Sequence, residues 1–183
     1  MSEKFLFLDT ETTGLREPRL VSLAYSIEGE SMINYGLFKP PKPIEHEASS
    51  ANHITDEMVK NAPNFQTSPD FQKLQALLDT HTLVAHYAVF DAKVLQNEGL
   101  VVRKVLCTCE LAKRAVPQAS NFKLQYLRYF LGLNCEATAH NSLGDVIVLK
   151  ALFKRLTELS PHLFPQYAPT PASQIQIPTT LTA

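Results

Sequence analysis

The sequence predicts an α/β layered fold, a mixed sheet covered by helices, and three features carry that prediction. Three strand-like segments follow one another near the N-terminus. From residue 82 onward, short apolar segments alternate with helical ones. The last clear helix bears an apolar stripe broad enough to lie on a sheet.

Taken in order, residues 4–9 are a short, aromatic-rich run that reads as a buried strand delivering Asp9 at its C-terminal end. Residues 20–27 and 33–38 read as the next two strands, and Gly29 in Glu28-Gly29-Glu30 supplies a turn between them, so the three form an antiparallel meander. Pro40, Pro41 and Pro43 then forbid regular pairing. Thr55-Asp56-Glu57 opens a short helical stretch ended by Pro63, and residues 69–78 make a second helix with proline near its start. A strand over 82–85 precedes a helix over 90–98, where Phe90, Val94 and Leu95 recur at helical spacing and Gly99 is the stop. A strand over 101–106 leads to helices over 110–115 and 123–131, the latter closed by Gly132. In the final helix, 142–158, Val146, Leu149, Leu152, Phe153 and Leu156 form the stripe. Beyond Ser160, five prolines punctuate a stretch rich in threonine, serine and glutamine. Residues 1–160 are therefore expected to form one folded domain and 161–183 a loosely held tail.

Bulk properties narrow the function. A chain of 183 residues, 45% hydrophobic and 19% charged, is long enough to bury a core and too apolar for general disorder. A net charge of -1 excludes the strongly basic balance of a protein that coats duplex DNA, so any nucleic-acid contact is local. No apolar run reaches the roughly 18 residues of a membrane span. Cys107, Cys109 and Cys135 are odd in number and no secretory leader precedes them, which points to a reducing cytoplasm. Together with His140 they do not have the usual spacing of a zinc knuckle and read as buried or bystander thiols.

Three fragments carry chemistry. Asp9 and Glu11, two apart on a strand, point to the same side and can share a hard cation such as magnesium or manganese, and Gly14 permits close backbone approach. Alone, the fragment also reads as a turn cluster. Asp91 lies at a helix start, as a third acidic group facing the first two or as a simple helix cap. His140, five residues before Asp145, can accept a proton from a metal-bound water while Asp145 helps hold the metal; alone it also reads as a surface histidine.

Read together and in this order, Asp9 and Glu11, then Asp91, then His140 with Asp145 resemble the three motifs of the DEDDh branch of DnaQ-like 3′-to-5′ exonucleases. The resemblance spans about residues 5–156, and within the branch it lies nearest the exonuclease X subgroup, supported by Asn52-His53-Ile54-Thr55, Asp56-Glu57-Met58-Val59, Val84-Ala85-His86 and Cys107-Thr108. It implies a ribonuclease H-like fold and a two-metal mechanism, with magnesium or manganese ions about 4 Å apart. Asp9 would bridge both ions, Glu11 and Asp145 would complete the tighter site, Asp91 would support the second ion through water, and His140 would be the general base. Thr12 and Leu15 would hold the terminal nucleotide, with His53, Ile54 and Phe90 lining its pocket. His86 stands where the family commonly carries asparagine, and so bears on placement of that nucleotide. The implied substrate is a nucleic-acid 3′ end, DNA ahead of RNA, in repair or proofreading. Release of nucleoside 5′-monophosphates and a polymerase or repair partner met through the tail complete the expectation; RNA trimming and a non-catalytic binding adaptor are the alternatives.

Overall fold

A computed structural model describes residues 3–163 and the backbone of 170–171. Its strands are β1 (Phe5–Thr12), β2 (Leu20–Ile27), β3 (Asn34–Leu37), β4 (Thr82–Ala85), β5 (Lys104–Cys107) and β6 (Thr170–Pro171). The helices are α1 (His46–Asn52), α2 (Asp56–Val59), α3 (Pro69–Leu78), α4 (Ala88–Asn97), α5 (Thr108–Ala115), α6 (Leu124–Phe130) and α7 (Ser142–Leu159). They form one sheet in the order β3-β2-β1-β4-β5-β6. β1 to β3 are mutually antiparallel, while β4 and β5 run parallel to β1. The predicted mixed sheet is thus present, and its connections have the ribonuclease H-like form.

Alternation along β1 divides the core. Leu6 and Leu8 face the layer that contains α3 and α4, whereas Phe5 and Phe7 face the layer of α5, α6 and α7. Phe153 of α7 meets both Phe5 and Phe7 edge-on at 5.1 Å. By the same alternation Asp9 and Glu11 fall on the α7 face and Thr10 on the α4 face.

Two differences from expectation matter for the site. β1 does not stop at Asp9 but runs on to Thr12, because β2 keeps pairing with it as far as Thr12 opposite Leu20, across an irregularity between Glu11 and Thr12. β4 pairs with β1 only through Phe7. Past that residue β1 is paired on one side alone, and the opened edge faces the start of α4. α1 was not foreseen: the helix begins just after the prolines, and its small and polar residues bury only Asn52, so no apolar period marks it.

The stretch after Ser160 is described only in part. After a break at Ser160, residues 161–163 form a separate 3-10 turn, and Thr170–Pro171 adds a strand antiparallel to β5 against Val105 and Lys104. Proline is tolerated there because the strand is at the sheet edge and needs no donor on its outer side. The rest of 161–183 lies outside the described residues. Near the site, Arg19 pairs with buried Glu98 through two 2.9 Å bonds, and Glu98 also accepts the Leu20 N–H at 3.0 Å. This charged link ties the β1–β2 connection to the end of α4.

Candidate active site

The opened edge of β1 is where the acidic residues meet. Ligand atoms of Asp9, Glu11 and Asp145 lie within 4.8 Å of one another. Asp9 and Glu11 arrive from β1, held opposite Ala24 and Ser22 of β2. Asp145 arrives in the first turn of α7, whose start is tied to the same strand by a 2.7 Å bond between the Ser22 and Ser142 hydroxyls. Asn141 caps α7 by accepting the Gly144 N–H.

Asp91 reaches the cluster from the other face. It is in the first turn of α4, yet the helix is capped at Tyr87 without any side-chain bond, so Asp91 is not acting as a cap. Its Oδ1 instead accepts the Thr10 N–H at 3.1 Å and the Thr10 hydroxyl at 2.9 Å, filling the edge that β4 leaves unpaired.

Burial and mutual repulsion govern the electrostatics of the cluster. Burial, then Asp91, Glu11 and Asp145, hold the Asp9 carboxyl well above the usual range. Burial, then Asp145 and Asp91, push Glu11 up to about 8 against a lowering bond from Asn52. Asp91 is raised to about 7 by burial despite its bonds from Thr10, and burial also raises Asp145 against the pull of Gln125 and His140. Among the described residues no ion pair includes any of these four carboxylates. Oxygen donors brought together with their charge uncompensated fit a hard divalent cation.

His140 is exposed, in the left-handed region at φ 55°, and close enough to Asp145 to lower its pKa. The expected substrate residues differ in exposure and in what they touch. Thr12 is buried and its hydroxyl donates to the Gly14 carbonyl at 3.0 Å; Leu15 is 54% exposed beside it. His53 is exposed and left-handed (φ 59°), Ile54 is buried in a small core with Val21, Ile44 and Val59, and Phe90 is half-buried against the α4 layer. His86 is turned inward: Nδ1 lies 2.9 Å from the Thr108 hydroxyl and Nε2 2.8 Å from the Phe122 carbonyl. Nε2 donates to the Phe122 carbonyl, Nδ1 shares a hydrogen bond with the Thr108 hydroxyl, and burial lowers the pKa of the ring to about 4. Neither nitrogen is left for a ligand.

Sequence reasoning missed Thr10, Asn52 and Gln125. Asn52 donates to the Thr12 carbonyl at 3.3 Å and accepts the Ile54 N–H at 2.9 Å, so it fixes the end of β1 from α1. Gln125 of α6 donates to Asp145 at 2.7 Å. All three are neutral and far in sequence from the carboxylates they touch; only Asn52 lay within a stretch singled out by resemblance. The cysteines are free, and Cys109 is buried.

A carboxylate cluster on the central strand of this mixed sheet defines a metal-binding hydrolase of the DnaQ-like kind. The exonuclease family RNase_T matches residues 6–153, and the chain belongs to it and is a nuclease. The chain is 32% identical over 163 residues to DNA polymerase III subunit epsilon of Treponema pallidum (strain Nichols), covering 81% of this chain and 74% of that protein. It is 42% identical over 159 residues to the uncharacterized exonuclease CP81 of Escherichia phage 186, covering 76% and 81%. A solved exonuclease X in complex with 5′ overhanging duplex DNA superimposes with a TM-score of 0.71 at 26% identity, covering 86% of this chain and 93% of that one. Among the described residues no helix is long and apolar enough to cross a membrane.

Proposed function

We propose that the protein is a 3′-to-5′ exonuclease that removes nucleoside 5′-monophosphates from DNA 3′ ends, in repair or proofreading. The observation that carries this reading is the meeting of Asp9, Glu11 and Asp145 within 4.8 Å, with Asp91 against the neighbouring residue of the same strand. Preference for DNA is supported by the relatives, one a DNA polymerase III subunit and another solved on duplex DNA. The first also supports a polymerase as partner, reached through residues beyond 160.

Asp9, Glu11 and Asp145 would hold one magnesium or manganese ion, and Asp9 with Asp91 a second. When bound, such ions stabilise charge on the entering and leaving oxygens of an in-line displacement. The chain's own residues supply the rest. His140 takes a proton from the attacking water as its oxygen bonds to phosphorus, and the bond to the 3′ oxygen breaks in the same displacement. The exposed Leu15 and His53 and the half-buried Phe90 would hold the terminal nucleotide, with stacking that tolerates any base. Ile54 would support them from the core, and His86 would act only through the wall it braces.

The test is release of mononucleotides from 3′-labelled DNA, single-stranded and duplex, beside matched RNA, with magnesium or manganese and with chelator. Metal-dependent release from DNA, abolished in D9N, is expected. Release from RNA alone would overturn the substrate, and cleavage that survives D9N would overturn the site.

A further inference from the structure

The connection from α6 to α7, residues 131–141, carries His140 and forms no strand or helix. Its carbonyls are held by a side chain. Arg128 Nη1 donates to the Ala137 carbonyl at 3.0 Å and Nη2 donates to the Cys135 carbonyl. Nη1 also lies 3.4 Å from Gln125 Oε1, and the amide nitrogen of that glutamine donates to Asp145. One planar group therefore touches the loop upstream of His140 and, through Gln125, the carboxylate downstream of it. The guanidinium is half-buried and also lies over the Tyr129 ring, 5.5 Å from its centre.

We infer that Arg128 is a positioning residue for His140, and that with Gln125 it makes α6 the clamp that sets His140 and Asp145 in register. The inference rests on the reading of His140 as the proton acceptor. His140 sits in a left-handed conformation that a free loop would leave, so its surroundings must hold it there. The clamp needs arginine: a rigid fork serves two carbonyls and an amide oxygen together, whereas a lysine ammonium is a single point on a flexible stem. Arg128 bonds none of the four carboxylates itself, so its loss acts through the geometry of the loop and of Gln125.

The test compares R128A, R128K, H140A and the R128A/H140A double variant on a 3′-labelled DNA oligomer with manganese. R128A lowers kcat about 10- to 100-fold with KM little changed, since a displaced base forfeits most of the about 100-fold or more that a positioned one supplies. R128K recovers part of that loss, and added guanidinium recovers part of it in R128A. The decisive arm is the double variant, in which R128A should cost markedly less on top of H140A than it costs in the wild type, because only Asp145 is left to position. An equal R128A loss in both backgrounds would assign Arg128 to general stability and overturn the inference, as would a wild-type rate in R128A. Should H140A itself retain full activity, the proton-acceptor reading fails first and the clamp falls with it. Amide hydrogen exchange over 133–141 provides a readout without turnover: it should quicken in R128A and R128K and stay unchanged in H140A. Unchanged exchange in folded R128K would also overturn the clamp.

Discussion

Asp91 accepts both the backbone N–H and the hydroxyl of Thr10, the residue that separates Asp9 from Glu11. The arrangement exists because β4 stops pairing with β1 at Phe7, leaving the Thr10 N–H for a side chain to satisfy. One oxygen of Asp91 thus serves as a ladder partner, fixing where the carboxyl stands relative to Asp9. T10V keeps the backbone bond and loses the hydroxyl one. Its kcat is expected to fall about 10-fold, the worth of one bond to a charged group, with T10S restoring it. Steady-state kinetics with manganese check this, and a T10V rate equal to wild type would remove the hydroxyl from the account.

Metal-free protein should lose stability as pH rises. Glu11 and Asp91 have folded pKa values of about 8 and about 7, and Asp9 is also raised, whereas an unfolded chain would titrate them near 4. Groups raised in this way contribute stability that is complete below about pH 4 and lost as pH climbs through 7 and 8. In chelator, the melting temperature should therefore decline between pH 5 and pH 8, and magnesium should restore it most strongly at the upper end. D9N should flatten the decline and abolish turnover together. A flat profile in wild-type chelated protein would mean that the carboxylates are not in conflict.

His86 works in the opposite sense. Its ring is neutral in the fold and its pKa is lowered to about 4, so its contribution is complete above about pH 6.5 and lost as pH falls toward 4. The acid limb of the melting profile is then set by His86 and the alkaline limb by the carboxylates. H86A removes the acid limb and leaves the Phe122 carbonyl without its donor, at a cost of about 1–3 kcal/mol. Urea unfolding at pH 7.5 and pH 5 separates the two. A cost equal at both pH values would show that the ring packs but does not titrate.

The sequence made the acidic strand legible and its supports illegible, and the reason is physical. Asp9, Glu11, Asp91 and Asp145 are each ordinary alone, as turn or cap residues, and become legible only when their three motifs are read together in order. The mixed sheet was legible from the three consecutive strand-like segments and from the alternation of short apolar and helical segments after residue 82, each with its own apolar period. Thr10, Gln125 and Arg128 hold those carboxylates or their loop through hydrogen bonds across 81, 20 and 9 residues, and polar residues on helices and strands are ordinarily solvated. The helix α1 was hidden for a related reason: it buries an amide rather than an apolar face, and that amide fixes the end of β1. β6 escaped because two residues in a proline-rich stretch have no period at all.

Gly14 and Gly144 lie at the two ends of the site, and their alanine variants should fail differently. At Gly14 a Cβ would meet the Glu45 carboxylate at 2.1 Å, but that is the end of a flexible side chain that can swing aside; what remains is a φ of 152° that alanine adopts poorly. G14A should therefore cost about 1–2 kcal/mol of stability, and E45A should not rescue it.

At Gly144 a Cβ would meet the Thr138 carbonyl oxygen at 2.1 Å and its nitrogen at 2.9 Å, both backbone atoms. No rotamer relieves that contact, and Gly144 is helical, so alanine would otherwise be favoured by about 1 kcal/mol. The loop must move instead, and it carries His140 two residues on. G144A is expected to leave manganese binding by Asp9 and Glu11 nearly intact while lowering kcat about 100-fold, the effect of a misplaced proton acceptor rather than a lost metal ligand. Calorimetric titration with manganese, set beside kcat for G144A and H140A, distinguishes the two causes. If manganese affinity falls in step with kcat, the glycine is holding Asp145, and its role belongs to the metal site.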